Sequence, residues 1–225
     1  MGRLVLPALC LFFTLLFGTL GVWQVQRLQW KLDQIERVEN RLAQAPVDAP
    51  ANVDPSDFEY RPVRVSGIFL HDRATLVQAL TERGAGYWVM TPLRTDRGLI
   101  LINRGFVPED RRNAASHPKG RVLVEGLLRL SEPDGRFLRP NKPAADRWYS
   151  RDVDAIAKAR GLERVAPYFI DARAMQGGTL PIGGLTVVKF RNTHLIYALT
   201  WFGLCALSIW GLVLTRRQSR GEKVP

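Results

Sequence analysis

Apolar residues mass at the two ends of this chain and alternate with polar ones through its middle. Residues 4–23 and 195–215 contain no charged side chain, and at about 1.5 Å per residue each reaches across roughly 30 Å of hydrocarbon. Two membrane-spanning helices are the expectation. The first stretch exceeds the about 7–15 apolar residues of a signal-peptide core, and GVWQVQR after it offers no small-x-small cleavage site. It is therefore expected to remain as an anchor.

Beyond residue 23 the run QVQRLQWKLDQIERVENRLAQ keeps a helical period, with Trp23, Arg27 and Trp30 about one turn apart. The first helix is expected to continue to about residue 43. Residues 44–59, with three prolines in APVDAPANVDPSD, read as a linker. From residue 60 the period becomes two. RPVRVSGIF, ATLVQAL, GYWVMTPLRT, LILINRGFV, RVLVEGLLRL, PYFIDA and LTVVKF are strand-like runs separated by turns such as Thr95-Asp96-Arg97-Gly98. They predict an antiparallel, barrel-like β-rich domain over residues 60–190. One helix interrupts it, RDVDAIAKARGL, opened by Asp152 and Asp154 and closed by Gly161. The fold class is an integral membrane α+β protein whose two spans form a hairpin around an extramembrane domain.

Composition changes this picture little. The net charge of +11 leaves 27 Lys and Arg against 20 acids between Arg27 and His194, a mixed surface that argues against nucleic acid as a partner. Residues 216–225 form a basic tail. That tail favours cytoplasmic termini, whereas Arg27, Lys31, Arg37 and Arg41 pull the other flank of the first span inward. Both cysteines, Cys10 and Cys205, fall inside predicted spans and read as packing residues. The loop between the spans holds none, which removes thiol exchange, thiolate zinc and covalent haem attachment from its chemistry.

Candidate sites each carry two readings. His194 opens the second span, and on a helix His194, Ala198, Trp201 and Cys205 share one side with Tyr197 at its edge. A neutral imidazole there suits haem iron, with aromatic walls and Arg191, Arg27 or Lys31 for propionates. Equally, His, Tyr and Trp populate the interfacial belt, and Asn192 or Thr193 caps a helix. Trp23, Arg27, Trp30 and Lys31 face the same choice between anion binding and an aromatic anchor with snorkelling cations. His71 and His117 read as surface residues, and Arg104 in NRGFVP as part of a strand-ending turn. Glu109-Asp110 and Asp152-Asp154 look like turn and helix-start chemistry, and Gly177-Gly178 and Gly183-Gly184 like turns. No GxSxG elbow or phosphate-binding glycine loop is present, so enzymatic activity is not expected.

LGVWQVQRLQWK, RPVRVSGIF, GYWVMTPL, LINRGFVPEDRR, VEGLLRLSEP, RWYSRDV, PYFIDA and RNTHLIYALTWFGL, in that order, resemble the Surf1 family of cytochrome c oxidase assembly factors. Phe106 stands where the family usually has Trp. The resemblance implies two spans, cytoplasmic termini and a periplasmic β-rich loop in the bacterial inner membrane; no long Arg-rich presequence precedes the first span, which fits a bacterial member. It implies a non-enzymatic chaperone role in the respiratory chain, with haem a as a transient cofactor and oxidase subunit I as partner. Haem a synthase is a further candidate partner, besides membrane lipid. Carried onto this chain, His194 becomes the axial ligand. Tyr197, Trp201 and Trp23 then line the ring, and Arg27, Lys31 and Arg191 meet the propionates. The competing expectation is a haem-free scaffold that holds oxidase subunits during assembly.

Overall fold

The computed structural model describes residues 2–50, 55–135, 139–174, 180–185 and 192–219. It divides into two compact units, one formed by Met1–Glu39 with Lys189–Pro225 and the other by Asn40–Val188. Three α-helices are described, α1 (Gly2–Leu42), α2 (Val153–Ala159) and α3 (His194–Ser219). Of these, α1 and α3 are long and apolar enough to cross a membrane, and their apolar stretches are almost uncovered by protein.

Within the first unit α1 and α3 run antiparallel, joined along a seam of small residues. A Cβ on Gly211 would meet Cys10 Sγ at 3.4 Å, and one on Gly18 would meet Cys205 Sγ at 3.7 Å. Cys205 Sγ donates to the Thr14 carbonyl at 3.4 Å. Phe17 stacks on Trp201 with ring centroids 5.6 Å apart. Gly21 is required where it stands, since a Cβ there would lie 2.6 Å from the Phe202 ring. On α1 the seam follows residues 10, 14, 17, 21 and 24, the alternating four-and-three spacing that keeps one helix facing another. Small residues let the backbones approach, as in helix pairs packed without a hydrophobic driving force.

Seven strands are found among the described residues of the second unit: β1 (Val47–Asp48), β2 (Pro62–Phe69), β3 (Thr75–Thr81), β4 (Gly84–Thr95), β5 (Gly98–Pro108), β6 (Arg121–Leu130) and β7 (Val165–Ala172). Their order is β1-β2-β6-β7-β5-β4-β3, and β2 also pairs with β4 through Ile68↔Arg94 and Phe69↔Leu93. That last pairing closes β2, β4, β5, β7 and β6 into a five-stranded barrel. The expected all-antiparallel arrangement is corrected at one joint, because β5 and β7 are parallel. The reason is parity: a closed ring with an odd number of strands cannot alternate direction throughout. The short β1, within the predicted linker, also pairs parallel with β2. LTVVKF, apart from Leu185, lies outside the described residues.

Val63, Phe69, Leu93, Ile102, Val124 and Ile170 point into the barrel and fill it. A second cluster, Val77, Met90, Leu101, Trp148, Ile156 and Phe169, coats the outer face beneath α2. Both faces of β5 and β7 are thus covered, and LILINRGFV and PYFIDA carry apolar side chains on both faces, interrupted by polar residues such as Asn103 and Asp171. The Asp152 carboxylate accepts from the Ala155 amide at 3.1 Å and caps α2, whose Val153 and Ile156 are buried.

Candidate functional site

His194 is the first residue of α3, and its amide donates to Asn192 Oδ1 at 3.3 Å. Its ring is tied to the other helix: Nδ1 and Gln24 Oε1 are 2.8 Å apart. Gln24 is buried on the α1 seam, one step beyond Gly21. A carboxamide oxygen can only accept, so the imidazole proton sits on Nδ1. In that tautomer Nε2 carries the free lone pair, and it makes no hydrogen bond among the described residues. Histidine ligands of metals are oriented in this way, by a second group holding the opposite nitrogen.

The other expected site residues fall into three groups. Tyr197, 53% exposed, stands outside the seam one turn from His194, and Trp23 is exposed beside Gln24. Trp201 belongs to the seam through its stack on Phe17, so packing with α1 already covers part of the ring expected to face a ligand. Ala198 and Cys205, expected on the same side as His194, are likewise seam residues. Arg27 turns back along its own helix, with its guanidinium carbon 4.3 Å from the centre of the Trp30 ring. Lys31 lies one turn further along α1. Gln24, not either cation, is the α1 residue at hydrogen-bonding distance from His194. Arg191 lies outside the described residues, as do Gly177 and Gly178.

Two sequence readings of the barrel unit change. Arg104 does not belong to a strand-ending turn, since β5 continues to Pro108. A β-bulge places Arg104 and Gly105 opposite the single residue Val89, between the pairs Met90↔Asn103 and Trp88↔Phe106. Asn103 donates to Asp171 Oδ1 at 2.7 Å, while the Gly105 amide donates to Asn103 Oδ1. Gly105, at φ +128°, lets the chain at Ile182 approach; a Cβ would lie 2.3 Å from the Ile182 carbonyl oxygen. Arg104 itself turns inward.

His117 is exposed, as expected of a surface residue, whereas His71 is half-buried; their rings meet edge to face with centroids 4.8 Å apart. His71 Nε2 donates to the Pro118 carbonyl at 3.0 Å. Burial holds the His71 pKa below its ordinary value; the Pro118 bond works against that shift, and the Arg104 and His117 charges reinforce it. The neutral ring is therefore the form the fold prefers. Its contribution is intact above the unfolded value of about 6.5 and is lost as pH falls through the lower folded value. Thermal melts at pH 7.5, 6.5 and 5.5 are expected to show the barrel unit weakening below about pH 6.5. The slope should flatten in His71→Gln; equal slopes in the two proteins would refute this origin.

No group of three or more His, Cys, Asp or Glu side chains is placed to hold a metal ion among the described residues. What the geometry defines is a class: a five-stranded barrel unit that lies, in chain order, between two helices of membrane-spanning length, with one oriented imidazole at a helix start. The chain belongs to the SURF1 family, whose model matches residues 11–206. It is 40% identical to Surfeit locus protein 1 of Mus musculus over 89% of this chain and 72% of that protein. Against Surfeit locus protein 1 of Homo sapiens the figures are 40%, 84% and 70%. A SURF1-like protein of Monosiga brevicollis is 37% identical over 90% of this chain and 84% of its own length.

Proposed function

We propose that this protein is a membrane-embedded assembly factor for a haem-copper terminal oxidase, handling haem a on its way to subunit I. The observation that carries the reading is the Gln24–His194 hydrogen bond. It spends the Nδ1 proton inside the helix pair and leaves Nε2 as the iron ligand. Haem a supplies the iron and a long apolar tail, and this chain supplies an imidazole at the start of a membrane-length helix, where ring and tail can stay in lipid. Exposed Tyr197 and Trp23 are the aromatic surfaces free to cover the macrocycle. Arg27, Lys31 and Arg191 are the cations for its propionates. A single protein ligand also favours release, because cargo held by one bond leaves more readily than cargo clamped by two.

The membrane assignment rests on α1 and α3, and the reading places both termini in the cytoplasm of a bacterial cell with the barrel unit in the periplasm. A second reading has one specific support. Trp201 is already packed on Phe17, as it would be if the helix pair were purely a scaffold for oxidase subunits.

Gln24→Leu separates the two. It preserves the helix and the approximate volume while removing the acceptor that orients His194. Purified from cells that make haem a, this variant is expected to bind haem roughly 10- to 100-fold more weakly than wild type, the usual loss when the group supporting a metal-bound histidine is removed. Unchanged affinity would remove the orienting role of Gln24. No haem in either protein would favour the scaffold.

A further inference from the structure

One of the buried charged groups of the barrel unit has no counter-charge among the described residues. Arg104 points inward from β5 at the barrel end where Phe69 closes β2, and only 2% of it is exposed. Its guanidinium sits over the Phe69 ring, 5.0 Å from the centroid. It donates to the Ser116 carbonyl at 2.6 Å and, more weakly, to Ser116 Oγ at 3.2 Å. Both acceptors are neutral. Nε is buried without a partner, and no carboxylate pairs with Arg104 among the described residues. Burial alone pulls its pKa down to about 10, the mark of a cation set in an apolar place without an anion. Leaving such a donor unmade is costly, and native proteins keep few of them.

Arg104 also lines a cleft of about 330 Å³ at this end of the barrel. Phe69, Val122, Val124, Ala172 and Ala174 make most of the remaining wall. Glu125 and Arg173 add one exposed charge of each sign to the lining. The volume sits at the lower end of the range for small-ligand sites, roughly 300–1,000 Å³, and the composition matches them too: apolar walls with one strong polar group.

We propose that this barrel end is a binding site for a carboxylate carried on a short apolar body, with Arg104 as its anion partner. The carboxylate accepts from the guanidinium and neutralises it, and the apolar body lies along Phe69, Val124 and Ala172. The site belongs wholly to the barrel unit and is independent of His194.

Hexanoate is a suitable probe, titrated calorimetrically into the full-length protein in lipid nanodiscs with empty nanodiscs subtracted. The expected result is saturable one-site binding that hexanol does not reproduce. Arg104→Lys keeps the charge but loses the planar donor set and should weaken binding roughly 10- to 100-fold. Should that variant fail to fold, Ala174→Phe fills the cleft from its exposed rim, leaves the Arg104–Ser116 bonds in place and should abolish binding. Absence of saturable binding to wild type would overturn the proposal. So would hexanol binding as tightly as hexanoate, or wild-type affinity retained in Ala174→Phe.

Discussion

Asp171→Ala is expected to unfold the barrel unit under conditions where the wild type is stable. The Asp171 side chain, 2% exposed, accepts from Arg151 at 3.0 Å, from Arg129 at 3.2 Å and from Asn103 at 2.7 Å. Both guanidinium groups are themselves largely buried, and each lies over an aromatic ring, Arg129 over Tyr60 and Arg151 over Phe169. Alanine would leave Arg151 with Glu132 alone and Arg129 with only the more distant Glu59 and Glu132, two largely buried cations that have lost the buried carboxylate they share. Removing one partner of a buried pair costs about 3–5 kcal/mol, against a total domain stability of about 5–15 kcal/mol. Asp171→Asn keeps the shape and part of the bonding, so a smaller loss is expected. Denaturant titration followed by tryptophan fluorescence measures both. The matching control is Asp96→Ala, which removes an exposed carboxylate paired with exposed Arg121 and should change little. If Asp171→Ala were as mild as the control, the network would be decoration on an apolar core.

His194→Ala is the second large effect. It removes the only ligand atom the proposed function assigns to iron, yet it deletes a half-buried ring at a helix start and leaves the Phe17–Trp201, Gly21–Phe202 and Cys205–Thr14 contacts untouched. The helix pair should therefore survive, and the protein should accumulate in membranes at its normal level. In cells that depend on this chain, the haem a content of the terminal oxidase is expected to fall several-fold. Normal oxidase with normal levels of the variant would place the function outside His194 and strengthen the scaffold reading.

How much of this was legible in the sequence depends on how local each signal is. The two apolar helices and the strands from β2 to β7 follow from local period, and α2 follows from Asp152 at its start. Pairing across the chain has no such signature. Nothing in LILINRGFV or PYFIDA announces that β5 and β7 lie side by side and parallel. One signal was available and unused: Asn103 and Asp171 each interrupt a run buried on both faces, and a polar residue in such a run must find a buried partner. Those two partners are each other. Arg104 misled for a related reason, since Arg followed by Gly resembles a turn unless the strand is known to bulge there.

Gln24 was hidden differently. In the sequence it sits between Trp23 and the cations Arg27 and Lys31, which draw attention as candidate ligand contacts. Counting 10, 14, 17, 21 and 24 along α1 puts Gln24 on the packing seam, and a buried amide on a helix seam needs a partner from the facing helix. That partner is His194. The same seam accounts for Trp201, whose expected place against a ligand is partly taken by Phe17.

Whether His194 Nε2 carries the iron of haem a, as proposed, is read from the optical spectrum and haem content of the purified full-length protein from cells that make haem a. Wild type is predicted to carry haem a with a histidine-ligated spectrum, and His194→Ala, purified at the same yield, to carry almost none. Equal haem in the two proteins would contradict the assignment of the ligand, and an absence of haem from the wild type would contradict the account as a whole.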